Sequence, residues 1–137
     1  MICLGILLDT SYLIAAVSDK DENHLRSKEL KKKISSGSLG KIYISDFIFD
    51  EFVTFLRAKS FDKDKVKEFG DALLDDDSII LLKITQNLFE QSWDYFKKTS
   101  GLSFTDCSTA VLCREFKIKF IASFDSGFDK INFIERI

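Results

Sequence analysis

The stretch LGILLDTSYLIAAV, Leu4 to Val17, decides the architecture. Leu4 to Leu8 form a short apolar run rich in Leu and Ile, which reads as a strand buried on both faces. Such strands occur in parallel sheets covered by helices on either side. Asp9 ends the run, and Tyr12 to Val17 reads as a short helix returning from the strand. Asp9 is thereby placed at the carboxyl end of a strand, the side on which open α/β sheets bind their ligands.

Working outward, Asn23 is expected to cap a helix through about Ser35, stopped by Ser36-Gly37-Ser38 and Gly40. Lys41 to Ser45 reads as the second strand. Asp46 is the expected N-cap of a helix to about Lys59, and a further helix follows from about Asp62 to Leu74. Ser78 to Ile84 reads as the third strand, and Thr85 as the cap of an amphipathic helix through about Lys98. Ser103 begins a helix to about Phe116, Lys119 to Ser123 is the fourth strand, and Ile131 to Ile137 is an expected fifth. Strands alternating with helices predict a three-layer α/β/α sandwich around a mainly parallel sheet of four or five strands. Without repeats or a Pro- or Gly-rich linker, residues 1–137 read as a single domain, within the usual size of about 100 to 150 residues.

Composition narrows the function. A hydrophobic content of 45%, with 31% charged residues and 14 Phe, belongs to a globular protein rather than a disordered or fibrous one. The net charge of −2 carries no global basic footprint, so a polyanionic substrate has to be held locally. The basic runs Lys31-Lys32-Lys33 and Arg57, Lys59, Lys63, Lys65 and Lys67 are candidate surfaces for it, against the plainer reading of each as a solvated helix face. Cys3, Cys107 and Cys113 are odd in number and far from the only histidine, His24, which speaks against a disulfide framework or a zinc site. Cys107 and Cys113 are expected buried and reduced. The apolar start has no basic n-region and is broken by Asp9, and no uninterrupted run is long enough to span a membrane, so a cytoplasmic location is expected.

Four acids then stand out by position. Asp9 ends the first strand and Asp125 follows the fourth; in a sheet of order 3-2-1-4-5 those strands are neighbours and both carboxylates face one crevice. Glu51 falls between Phe47 and Phe55 on a helical projection, at the edge of the apolar arc, and is expected either to point inward or to snorkel half-exposed. Asp106 lies in the first turn of the helix opened by Ser103. Taken singly, Asp9 is also a good N-cap, Asp106 suits a capping box with Ser103, and Asp125 suits a turn. Asp129 is either a further acid or a surface residue.

The segments LLDTSYLIA around Asp9, ISDFIFDEF around Glu51, LSFTDCSTAVLC around Asp106 and ASFDSGF around Asp125 resemble, in this order, the PIN-domain family and especially its VapC-type toxin-like members. The resemblance covers essentially the whole chain. It implies the three-layer fold and a ribonuclease site using Mg2+ or Mn2+. By position, Asp9, Glu51, Asp106 and Asp125 would carry the chemistry, with Asp9, Asp106 and Asp125 chiefly on the metal and Glu51 coordinating or positioning water. Thr10, Ser11 and Ser123 would be polar supports, and Asp129 an alternative late acid. Gathered carboxylates fit a cation physically, since two of them about 5 Å apart repel by roughly 3 kcal/mol at an effective dielectric near 20. Oxygen ligands without His or Cys favour hard ions over zinc.

The resemblance also implies RNA as substrate, a homodimer and a small antitoxin partner that blocks the crevice with a basic side chain. Trp93, Tyr95 and Phe96 could serve an interface, with a core role expected for most of them. Two other readings compete: a PIN-fold interaction module without turnover, and an aspartate-nucleophile phosphatase. The second lacks the D-x-D pattern, since Asp9-Thr10-Ser11 stands in its place.

Overall fold

The computed structural model describes residues 4–137, so Cys3 lies outside the described residues. The strands are β1 (Gly5–Leu8), β2 (Lys41–Ser45), β3 (Ile79–Leu82), β4 (Phe120–Ala122) and β5 (Glu135–Arg136). Between them run α1 (Thr10–Val17), α2 (His24–Ser35), α3 (Asp46–Ala58), α4 (Lys63–Asp75), α5 (Gln86–Lys98) and α6 (Phe104–Phe116), with a 3-10 turn over Ser126–Lys130. All four strand pairings are parallel and the order is β3-β2-β1-β4-β5. The chain steps one way from β1 to β3 and then crosses to β4. Right-handed crossovers therefore place α1 to α4 on one face and α5 with α6 on the other, giving the expected three layers.

The central strand behaves as its composition dictates. All four β1 residues are buried, and Leu7 and Leu8 pair with Ile121 and Ala122 of β4. The core combines β1 and β4 with Ile48, Phe52 and Leu56 of α3 and Val111 and Leu112 of α6. Because strand order reverses between β1 and β4, their carboxyl ends open the crevice in which such sheets bind ligands. The Asp9 N–H continues the ladder by donating to the Ala122 carbonyl at 3.0 Å, which locks the two strand ends together.

Several local expectations are corrected. Asn23 holds the N-cap position of α2 but its side chain does not cap, since a backbone at φ −98 and ψ 11 lacks the extended conformation that capping requires. Ser45, not Asp46, caps α3 by accepting from the Ile48 N–H. Asp46 instead accepts from the N–H of Ile84 at 3.1 Å; that group is thus withdrawn from strand pairing, and β3 ends at Leu82. The fifth strand shortens to two residues because a turn at Asn132 and Phe133, closed by the Ile134 N–H on the Ile131 carbonyl, occupies its first half.

On α5, Leu88 and Ser92 are buried and Tyr95 packs against the core, whereas Trp93 and Phe96 are 49% and 36% exposed and stack at 5.8 Å. The core role holds for Tyr95 alone of the three, because Phe89, Trp93 and Phe96 fall on the adjoining helical strip. Both basic runs lie on exposed faces, and Cys107 and Cys113 are buried free thiols. Burial pushes the Cys113 thiol up to about 12. Among the described residues no helix is long and apolar enough to cross a membrane.

Candidate active site

Asp9 sits where β1 passes into α1. Its backbone has the extended conformation of an N-cap, yet its side chain makes no capping bond, so the capping explanation of this acid fails. The carboxylate turns toward β4, where Oδ2 accepts from Ser11 Oγ at 2.9 Å and from Ser123 Oγ at 2.8 Å. Only 4% of the residue is exposed and no cationic side chain pairs with it among the described residues. Burial raises its pKa, the hydroxyls of Ser123 and Ser11 and the Thr10 N–H pull it back, and the charge of Glu51 pushes it up again. Such an acid costs free energy that a purely structural position would not ask for.

The two serines also hold the segment carrying Asp125. Ser11 Oγ accepts from the Phe124 N–H at 3.0 Å, Ser123 Oγ accepts from the Asp125 N–H at 3.0 Å, and the two hydroxyls are 3.2 Å apart. Asp125 is exposed, and its Oδ1 accepts from the Gly127 N–H at 2.8 Å, so it performs the turn role as well. Thr10 does not join this network, and its buried Oγ1 has no partner.

Asp106 stands at the start of α6 in a full capping box, its Oδ2 accepting from the Ser103 N–H at 3.2 Å. Burial raises its pKa, the Ser103 N–H lowers it, and the charges of Asp9 and Asp125 raise it further. Asp106 thus caps its helix and still feels both other acids. Asp129 is drawn elsewhere: Arg136 donates to both of its oxygens, at 2.8 and 2.9 Å, and holds its pKa below the ordinary range. Glu51 is exposed rather than inward, because Phe52 on one side and Ile48 on the other take the buried positions of α3. Its charge nevertheless acts on Asp9, so it borders the same crevice.

Among the described residues, no three His, Cys, Asp or Glu side chains stand close enough to hold a metal as they lie. The donor set still fits a hard divalent cation by chemistry and charge: oxygen only, with Glu51 acting on Asp9 and both Asp9 and Asp125 acting on Asp106, and at its centre a buried carboxylate without a counter-ion among the described residues. Sequence reasoning missed Arg136, whose seven-residue separation from Asp129 carries no periodic signal, and the contact of Arg26 with Phe124, which joins two distant segments.

Comparison with known proteins bears on the family and the fold. A family model described as PIN domain matches residues 6–134. The chain is 27% identical over 128 residues to a VapC ribonuclease of Archaeoglobus fulgidus, covering 91% of this chain and 80% of that one. Among solved structures, Mycobacterium tuberculosis VapC20, a sarcin-ricin loop cleaving toxin, superposes with a TM-score of 0.82 at 21% identity, over 95% of this chain and 97% of that one. VapBC2 from Rickettsia felis, bound to a promoter DNA fragment, superposes with a TM-score of 0.69 at 14% identity, over 98% of each chain. With its family model matched from the first strand to the edge of the last, and its acids arrayed along the switch point of the sheet, the chain belongs to the PIN domain family.

Proposed function

We propose that this protein is an endoribonuclease that hydrolyses RNA phosphodiester bonds with Mg2+ or Mn2+, and that it acts as the toxin of a toxin–antitoxin pair. The observation that carries the reading is Asp9: a buried, unpaired carboxylate whose two hydroxyl partners are shared with the segment bearing Asp125. The VapC ribonuclease similarity and the toxin structures that share the fold support the RNA substrate and the toxin role.

Asp9, Asp106 and Asp125 are assigned to hold the ion, and Glu51 to hold it or to position water. The ion, when bound, supplies Lewis-acid polarisation of the phosphate and an acidified water. Ser11 and Ser123 fix the Asp9 carboxylate from one side, which keeps Oδ2 occupied and its orientation set. Because Asp9 and Asp106 are both more easily protonated than ordinary aspartates, loading of the site displaces protons and strengthens as pH rises. The exposed Phe89, Trp93 and Phe96 face supports assembly as a homodimer, and the acidic crevice suits a basic residue of an antitoxin. A cytoplasmic location goes with this reading.

The test is cleavage of single-stranded RNA by the wild type and Asp9→Asn, each with Mg2+ and with excess EDTA. Cleavage confined to the wild type with Mg2+ is expected; full activity in Asp9→Asn or in EDTA would sink the chemistry. A second reading, the interaction module without turnover, is favoured by the acids not being gathered to ligating distance. Mn2+ binding without cleavage of any RNA would select it.

A further inference from the structure

An acidic crevice in a chain of net charge −2 repels the polyanion it is proposed to cut, and a divalent ion answers this only at the scissile phosphate, so a flanking phosphate calls for a cationic side chain beside the acids. Arg136 is committed elsewhere, with its fork on Asp129 and Nη1 donating to the Ser123 carbonyl at 3.4 Å. Arg26 is not. It is exposed, forms no ion pair or hydrogen bond among the described residues, and rests its guanidinium 5.5 Å from the centroid of the Phe124 ring.

Phe124 is a well-registered seat. Its N–H donates to the Ser11 hydroxyl that in turn donates to Asp9, and the next residue is Asp125. A guanidinium resting on an aromatic ring retains its N–H groups for hydrogen bonding, and its planar fork matches two phosphate oxygens. The location gives no helix-stabilising reason for the charge. Arg26 lies in the first turn of α2, which contains no acidic residue, so it faces the positive end of the helix dipole. The dipole and the guanidinium together favour an anion at this spot.

We propose that Arg26, seated on Phe124, is an RNA-binding residue that holds a backbone phosphate flanking the cleavage position, with Phe124 as its positioning residue. The assignment rests on the ribonuclease reading for its substrate but not for its binding measurement. The guanidinium contributes a charge-assisted pair of hydrogen bonds to the ground state and the transition state alike, so its loss acts on KM rather than on kcat.

The experiment uses the full chain and a short fluorescein-labelled single-stranded RNA. Anisotropy gives Kd in EDTA across a salt series, and cleavage in Mg2+ gives KM and kcat. Arg26→Gln is expected to weaken binding by about tenfold, to reduce the slope of log Kd against log salt by about 0.7, and to raise KM while leaving kcat within about twofold. Arg26→Lys keeps the salt slope and loses part of the affinity, since a point charge replaces a fork. Phe124→Leu weakens binding with the salt slope intact. An unchanged Kd and salt slope in Arg26→Gln would overturn the assignment, as would the absence of RNA binding by the wild type. Arg26-dependent binding without cleavage would instead defeat the nuclease reading and leave the phosphate site standing.

Discussion

Ser123→Ala removes one oxygen from a fully buried position and breaks two bonds at once. The hydroxyl donates to the Asp9 carboxylate at 2.8 Å, a charge-assisted bond of about 1.5 to 3 kcal/mol, and accepts from the Asp125 N–H at 3.0 Å, a neutral bond of about 0.5 to 1.5 kcal/mol. The expected loss is about 2 to 4 kcal/mol at pH 8, a large share of a typical stability of about 5 to 15 kcal/mol. Urea unfolding in EDTA measures it, as a midpoint lowered by roughly 1 to 2 M at a typical slope.

The same variant carries a pH signature. Burial leaves Asp9 easier to protonate in the fold than in the unfolded chain. Between the ordinary aspartate range and the raised folded pKa, the fold therefore holds the extra proton, and metal-free stability falls as pH rises through that window. The Ser123 hydroxyl opposes this by favouring the charged form. Its removal raises the Asp9 pKa further, so the penalty of Ser123→Ala is full above the window and shrinks as pH falls through it. A loss below about 0.5 kcal/mol at pH 8, or one that grows on acidification, would refute the network drawn around Asp9.

Three further outcomes follow from other contacts. Asp125→Asn should abolish metal-dependent cleavage while Asp129→Asn retains it, because Arg136 already occupies both oxygens of Asp129; the reverse ranking in a cleavage assay would reassign the late acid. Cys107 and Cys113 should resist alkylation at pH 8 in the native protein and react only on unfolding, as read by peptide mapping, since both are buried and the Cys113 thiol is pushed up to about 12. Gly40→Ala should lower the melting temperature markedly: φ is +88, and an added Cβ would collide with the Leu4 carbonyl oxygen. A melting temperature equal to wild type would show that the turn into β2 is not as tight as described.

The fold was legible because its signals are local. The apolar run ending at Asp9, the caps Thr85 and Ser103, and the alternation of strands with helices all survive in the structure, as does the order 3-2-1-4-5. Errors arose where neighbours in sequence compete for one role, as when Ser45 rather than Asp46 caps α3. The positions of Asp9, Asp106 and Asp125 could be read from strand ends and a capping motif. What they touch could not, because Ser123 meets Asp9 across 114 residues and Arg136 claims Asp129 across a turn. Glu51 shows the limit of a helical projection: a residue at the edge of the apolar arc goes outward when Ile48 and Phe52 fill the interior.

The central claim is that Asp9 is buried and uncompensated to serve a cation rather than the fold. Asn at this position can still accept from both serine hydroxyls while losing the charge. The decisive measurement pairs the melting temperature of Asp9→Asn in EDTA with its RNA cleavage in Mg2+, product ends mapped. The expected result is a melting temperature no lower than wild type, no cleavage by the variant, and 5′-phosphate ends from the wild type. A large drop in melting temperature together with retained cleavage would show that Asp9 supports the fold and leaves the chemistry to other residues.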